Sequence, residues 1–222
     1  MKYILRDIST ISAHGMRLYN VSDGVYYPSI TTVLGSTVPE EKKKSLESWR
    51  DSIGHAEADR IGLEAATNGT EVHEIIEKYL NGDKSAADSG HYSRDQIMSF
   101  NAIKAQLSYI DEVWAQEAAL YSHELGVAGR CDCIGIHRGM PAIIDFKTSS
   151  KLKKSKDIQD YYLQLTAYGI MFNEMYGTDI SRGVIIMVSA KSFPQEFRIN
   201  LKDFEQQLKG RVSQFYATFL NQ

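Results

Sequence analysis

Ala128-Gly129-Arg130-Cys131-Asp132-Cys133-Ile134-Gly135-Ile136 and, after the turn-like His137-Arg138-Gly139-Met140-Pro141, Ile143-Ile144-Asp145-Phe146-Lys147-Thr148 decide the fold of this chain. The two runs read as short apolar strands joined in a hairpin. Each carries a carboxylate where a hydrophobic residue is expected, Asp132 in the first and Asp145 in the second. Asp145 and Lys147 are two residues apart, so both leave the same face of the strand, roughly 7 Å apart along it. A carboxylate in an apolar strand is costly to bury unless it is paired or metal-bound. Two readings follow: a salt bridge between Asp145 and Lys147 at a sheet end, or a site holding a divalent cation and an activated water.

Working outward, the preceding run Gln116-Glu117-Ala118-Ala119-Leu120-Tyr121 adds a third strand and a third acid. Glu117, Asp132 and Asp145 on three antiparallel neighbours form an oxygen-rich set suited to Mg²⁺ or Mn²⁺. Glu117 is preferred to Glu124, because Glu124-Leu125-Gly126 reads as a turn whose acid is solvated. Upstream, Pro39 to Ala66 reads as helical, with Leu46, Trp49, Ile53 and Ala56 at helical spacing. Asn68-Gly69-Thr70 interrupts it, with Thr70 as the cap of a helix Glu71 to Leu80. A further helix spans Asp95 to Trp114. Before these, Tyr3 to Leu34 holds short β-type runs.

Downstream of the hairpin, Lys151-Leu152-Lys153-Lys154-Ser155-Lys156 reads as a loop, followed by a helix from Ile158 to Met175. Gly183 to Ala190 reads as a continuous buried strand, with Glu196 to Asn200 as its partner. Leu201, Phe204, Leu208, Val212, Phe215 and Phe219 mark a final amphipathic helix. This order predicts a mixed α/β sheet flanked by helices, in one domain over residues 1–222. Residues 39–114 are a helical elaboration and 115–200 the sheet core.

Composition sets further limits. The 222 residues suit one domain, and no apolar run reaches the length of a membrane span. The first residues lack the core of a signal peptide and the Arg- and Ser-rich character of a transit peptide, so the expected location is the cytoplasm. The net charge of -3 lacks the basic footprint usual for nucleic-acid binders, so phosphate contacts must come from local patches and a metal. The two cysteines, Cys131 and Cys133, cannot complete a zinc or iron–sulfur site. They are expected to point away from Asp132 and pack as small hydrophobes.

His73 shares a helix face with Gly69 and Glu77 and is either a satisfied histidine or a site residue. His73-Glu74-Ile75-Ile76-Glu77 lacks the second histidine of the zinc-protease pattern, which excludes that chemistry. Gln164 and Tyr168 share a helix face four apart, as core and rim residues or as part of a site. Lys151, Lys153, Lys154 and Lys156 form a solvated loop or a contact to a polyanion. No Gly-rich phosphate loop of an ATPase or helicase occurs.

The order of His73, Glu117, Gly129-x-x-Asp132, Asp145-x-Lys147 and Gln164-x-x-x-Tyr168 resembles the PD-(D/E)XK nuclease superfamily, in particular its RecB-like exonuclease branch. Tyr27-Pro28-Ser29-Ile30-Thr31-Thr32-Val33-Leu34, the Leu46/Trp49 helix and Gly69-Thr70-Glu71-Val72-His73 are similar to phage exonucleases of the mitochondrial genome maintenance exonuclease kind. The likeness runs from about Tyr27 to Tyr168.

The resemblance implies that Asp132, Asp145 and the Phe146 carbonyl bind one or two Mg²⁺ (or Mn²⁺) ions, with Glu117 helping. It implies that Lys147 orients or activates the water and His73 is a metal ligand or phosphate contact. Gln164 and Tyr168 would support the site and the strand; beside a metal site, Lys151 and Lys153 of the lysine loop are expected to contact the strand being cut. The expected activity is metal-dependent exonucleolytic hydrolysis of DNA, of single-stranded ends, in phage or genome processing, repair and recombination. A helicase or recombination protein is an expected partner. The helices between Pro39 and Trp114 are expected to arch over the site, with Trp49 in the core or stacked on bases. A structure-specific endonuclease and a non-catalytic DNA-binding module are the alternatives. The superfamily's proline before the first acid is absent, since Cys131 precedes Asp132.

Overall fold

A computed structural model describes residues 2–3, 5–13, 15–88, 90–189 and 193–220, with only the backbone of Ser189, Phe219 and Leu220. The expected strand end at Ala190 and the apolar contact expected of Phe219 lie outside the described residues. Strands β1 (Thr10–Ala13), β2 (Met16–Ser22) and β3 (Val25–Pro28) form a small antiparallel sheet. Helices α1 (Ile30–Ser36), α2 (Glu40–Ile53), α3 (His55–Leu80) and α4 (Arg94–Leu107) follow. Strands β4 (Ile110–Ser122), β5 (Val127–His137) and β6 (Met140–Ser149) then run antiparallel. Helix α5 (Gln159–Tyr176) crosses over to β7 (Arg182–Ser189), which is parallel to β6; β8 (Gln195–Asn200) and α6 (Glu205–Leu220) complete the chain.

The five-stranded sheet has the order β4-β5-β6-β7-β8 and is covered on both faces. One face packs Ile143, Ile185, Leu163, Leu165, Ala167 and Phe172, with α5 and α6 above it. The other packs Ile144, Val184, Ile186, Ile75, Ile76 and Phe100, with α3 and α4 above it. Burial on both faces explains why β6 and β7 read as unbroken apolar runs. Each fully buried Ile or Val there contributes on the order of 1.5–3 kcal/mol. Arg211 of α6 ties three helices together: it donates to the Leu34 carbonyl at 2.6 Å, to Thr37 Oγ1 at 2.7 Å and to Asp160 Oδ1 at 2.9 Å.

The β5–β6 hairpin forms as expected, and its turn explains Arg138-Gly139: φ is 50° and 75° there, the left-handed pair of a tight two-residue hairpin. Several expectations are corrected. Ile30 to Leu34 is helical rather than β-type; Ser29 Oγ accepts the Thr32 N–H and caps α1. The break expected at Asn68-Gly69-Thr70 lies instead at Gly54, whose φ of 90° ends α2. Gly69 stays inside α3, where Thr70 Oγ1 donates back to the Ala66 carbonyl at 3.1 Å instead of capping. An interior glycine costs only about 1 kcal/mol, which packing along a 26-residue helix outweighs.

Trp114 belongs to β4, not to the preceding helix. The ladder between β4 and β5 shifts twice, between Ile110 and Glu112 and between Val113 and Ala115. Such bulges give Ile110, Val113 and Trp114 a spacing that imitates a helix. Trp49 is exposed rather than core, on a helix that buries none of its residues.

Candidate active site

Period-two alternation breaks in the middle of both β4 and β5. Ala115 and Ala118, three residues apart, both pack into the α5-side core, as do Cys131 and Ile134. Between them Gln116 donates to Asn81 Oδ1 at the end of α3 at 2.8 Å, and Cys133 packs among Val72, Ile75 and Ile76 of α3. The extra residue on each strand is an acid, Glu117 on β4 and Asp132 on β5. The cysteines are buried as expected, but in different cores rather than on one face. Glu117 holds the cause, a φ of 47° in the left-handed region within a strand.

The pairs Gln116↔Cys133 and Ala118↔Cys131 put Glu117 directly opposite Asp132. The β5–β6 ladder ends at Cys133↔Ile144, and its register continued by one residue sets Asp132 opposite Asp145. There the Phe146 N–H donates to Asp132 Oδ2 at 2.8 Å, so a side chain replaces the missing ladder bond. The three acids therefore lie in a row across three strands. Helix α3 brings His73 over this row, its Nδ1 3.6 Å from Asp132 Oδ2 and its ring edge-on to Phe146.

Among the described residues, His73, Glu117 and Asp132 form a group whose ligand atoms all lie within 4.8 Å of one another. Asp145 stands apart from this trio. It is fully buried, with Oδ2 2.6 Å from Lys147 Nζ and neither oxygen in a well-angled hydrogen bond. Asp145 and Lys147 thus form the expected ion pair, next to the acids on the neighbouring strands. Lys147 is also set over the Tyr161 ring, 5.2 Å from its centroid.

The electrostatics show what these groups lack. Burial pushes the Glu117 carboxyl up to about 7, helped by Asp132 and Glu77 and opposed by His73 and Arg130. Burial raises Asp145 to about 6, with Lys147 opposing and Asp132 adding. Burial works to lower the Lys147 pKa, but Asp145 and Asp132 outweigh it and keep the ammonium charged. Carboxylates crowded this way, one with a buried oxygen lacking a donor, suit a hard divalent cation. Carboxylate oxygens and one imidazole nitrogen form a donor set that could hold a divalent metal ion.

A cleft of about 560 Å³ opens over the trio. It is lined by the carboxylates of Glu74, Glu77, Glu117 and Asp132, the guanidiniums of Arg17 and Arg130, and Gln164 and Tyr168. Gln164 Nε2 donates to Tyr168 Oη at 2.9 Å, and a Cβ on Gly129 would meet Tyr168 Cε1 at 2.7 Å. Gly129 is thus the space into which the Tyr168 ring fits. Tyr168 is both core and cleft wall, which unites its two readings.

Other expected residues are not brought in. Lys151 and Lys153 do not line the cleft; Lys153 is tied through its backbone to the Gln195 side chain at 2.8 and 2.9 Å. Glu124 lies in a turn and pairs with Lys209 at 2.7 Å. Arg17, Glu77 and Arg130 were not anticipated. Arg130 had a signal, lying two residues from Asp132 on one strand, and Glu77 had another, four residues from His73 on one helix. Arg17 comes from the small sheet and has no local signal.

Comparison with known proteins identifies the family of the chain. The sequence profile of the PD-(D/E)XK nuclease superfamily matches residues 49–217. Mouse mitochondrial genome maintenance exonuclease 1 is 27% identical over 174 residues, 75% of this chain and 51% of that protein. The human protein is 26% identical over 179 residues, 75% of this chain and 50% of its own length. The chain spans about half the length of the curated relatives it matches. A crystal structure from Eubacterium rectale, provisionally assigned as an exonuclease, aligns with a TM-score of 0.44 at 14% identity over 67% of this chain and 66% of that one. With its mixed sheet flanked by helices and a profile match over most of its length, the chain belongs to the PD-(D/E)XK nuclease superfamily.

Proposed function

We propose that this nuclease is a divalent-metal-dependent DNA exonuclease that acts on single-stranded ends in DNA processing or recombination. The observation that carries the reading is the convergence of His73, Glu117 and Asp132 donor atoms beside the buried Asp145–Lys147 pair. The exonuclease relatives support cutting from an end.

His73, Glu117 and Asp132 would hold the cation, with Asp145 and the Phe146 carbonyl beside them. A bound divalent ion supplies Lewis-acid polarisation of the phosphoryl oxygen and a water of lowered pKa. Lys147 stays protonated and places a fixed positive charge where the phosphate gains negative charge. Asp145 holds the Lys147 ammonium in place. His73 is held over Asp132 by its edge contact with Phe146, and Arg17 and Arg130 offer guanidinium forks to substrate phosphates. Gln164 and Tyr168 shape the cleft wall. Exposed Leu46, Trp49 and Ile53 on α2 give an apolar face on which unpaired bases can stack.

The test uses end-labelled linear and circular single-stranded DNA with Mg²⁺ or EDTA, alongside Asp145→Ala and Lys147→Ala. Release of nucleotides from linear DNA only, abolished by EDTA and by either substitution, is the expected result. Cutting of circular DNA would replace the exonuclease with an endonuclease. Binding without cutting at any metal concentration would leave a DNA-binding module.

A further inference from the structure

A second cleft, of about 510 Å³, lies at the far end of the sheet and shares no residue with the first. Three arginines line it, from three elements: Arg138 from the hairpin turn, Arg182 from the start of β7 and Arg198 from β8. These are three of the ten arginines in a chain whose net charge is -3, so the patch is no general basic background. Met140, which lines this cleft, precedes Asp145 by five residues of β6, about 17 Å.

Glu196 is the one carboxylate in ion-pair contact with the three arginines among the described residues. Its Oε2 is 3.5 Å from Arg138, and it also pairs with Arg198. Arg182 has no ion pair there; it donates to the His137 carbonyl at 3.2 Å. Two positive charges are therefore left over. Burial and the repulsion of Arg198 lower the Arg182 pKa, with Glu196 opposing. The cluster is also preset, since the Arg138 guanidinium lies 3.4 Å from the centroid of the Tyr109 ring. Surplus guanidiniums held in an open cleft recognise one chemistry well, the phosphoryl oxyanion, whose oxygens match the planar fork.

We infer that Arg138, Arg182 and Arg198 form a phosphate-binding site remote from the cutting centre, occupied by backbone phosphates of the nucleic acid on which the nuclease acts. An open groove suits an extended polyanion. At the roughly 3.4 Å per phosphate of a stacked strand, about five nucleotides separate the catalytic centre from this cleft, and fewer where the strand is extended. Its identification with substrate rests on the proposed function; its identification as a phosphate site does not.

The test compares wild type with Arg182→Gln/Arg198→Gln and with Arg138→Gln/Arg198→Gln, the latter pair altering only the more exposed arginines. Binding of a labelled oligonucleotide of about 30 nucleotides is measured in EDTA across a salt series, beside one of about four. The expected result is about tenfold weaker binding of the long probe and a salt slope smaller by about 1.4, with a smaller loss for the short probe, which does not engage both clefts at once. Calorimetric titration with inorganic phosphate is run in parallel. Phosphate binding lost in the variants while the long probe is unaffected keeps the site and assigns it to a free phosphate monoester. Unchanged DNA affinity together with unchanged phosphate titration overturns it. A wild type that binds no DNA would sink the proposed function instead, and the phosphate titration would still decide the site.

Discussion

Glu117 and Asp132 face each other across neighbouring strands, and Glu117 reaches that position only through a backbone φ of 47°. The left-handed conformation costs a non-glycine residue about 1–2 kcal/mol. The carboxylate held there is pushed up to about 7 by burial and by its acidic neighbours. Glu117→Gly removes both burdens. Its thermal midpoint in EDTA should rise, by an amount matching about 1 kcal/mol, while Mg²⁺-dependent cutting is lost. A midpoint that falls would show that the strained carboxylate is not a cost to the fold.

Metal-free stability should depend on pH through the same acids. Glu117 and Asp145 bind protons more tightly in the folded chain than in the unfolded one, with folded values of about 7 and about 6. Their contribution favours folding fully below the ordinary carboxylate range and is lost as pH rises through those values. Melting curves in EDTA should therefore show falling stability between about pH 4 and pH 7 from this pair, and Mg²⁺ should flatten the fall. The same slope with and without Mg²⁺ would separate these acids from the metal.

Gly129→Ala tests the fit of Tyr168. The new methyl would stand 2.7 Å from Tyr168 Cε1 and 3.2 Å from Ile30 Cγ2, so the ring must move. We expect a stability loss of about 1–3 kcal/mol and, if the proposed site is the cutting centre, a drop in kcat, since Tyr168 and its partner Gln164 line the cleft above Glu117 and Asp132. Urea titration and steady-state cutting measure the two separately.

Arg211→Ala should destabilise without entering the chemistry. It removes a buried guanidinium that satisfies the Leu34 carbonyl and the Thr37 hydroxyl and pairs with Asp160. Asp160 keeps Lys42 as a partner, so the cost comes from the buried Leu34 and Thr37 oxygens left without a donor; a loss of about 1–3 kcal/mol is expected, with normal activity below the new melting point. Loss of activity in a fully folded variant would place Arg211 in the site.

Much of this arrangement was legible in the sequence because it depends on short-range patterns. Asp132 and Asp145 stand out as polar intrusions in apolar strands, the hairpin is marked by Arg138-Gly139, and β6 and β7 read as strands buried on both faces. His73 could be set on a helix face with Glu77 by spacing alone. The rest depended on what spacing does not encode. A left-handed φ at Glu117 leaves no compositional trace, yet it turns two consecutive residues of β4 toward α3. The β4 bulges disguised Trp114 as helical, and Asn68-Gly69-Thr70 carried a stop signal that tertiary packing overrode. Arg17 enters the cleft through the small sheet, a contact made across more than a hundred residues of chain from Asp132.

Helix α2 leaves every residue open to water except the half-buried Lys42 and Arg50. Swinging it away from the body exposes little new apolar surface. The motion breaks mainly contacts with α3 and exposed or half-exposed ion pairs, Lys42 with Asp160 at 3.2 Å and Arg50 with Asp59 at 2.8 Å. Gly54, with no side chain and a φ of 90°, is where such a motion would pivot. The amides of α2 should therefore exchange with solvent at free energies far below those of β6 and β7. Such an opening would leave the packing of β6 and β7 untouched.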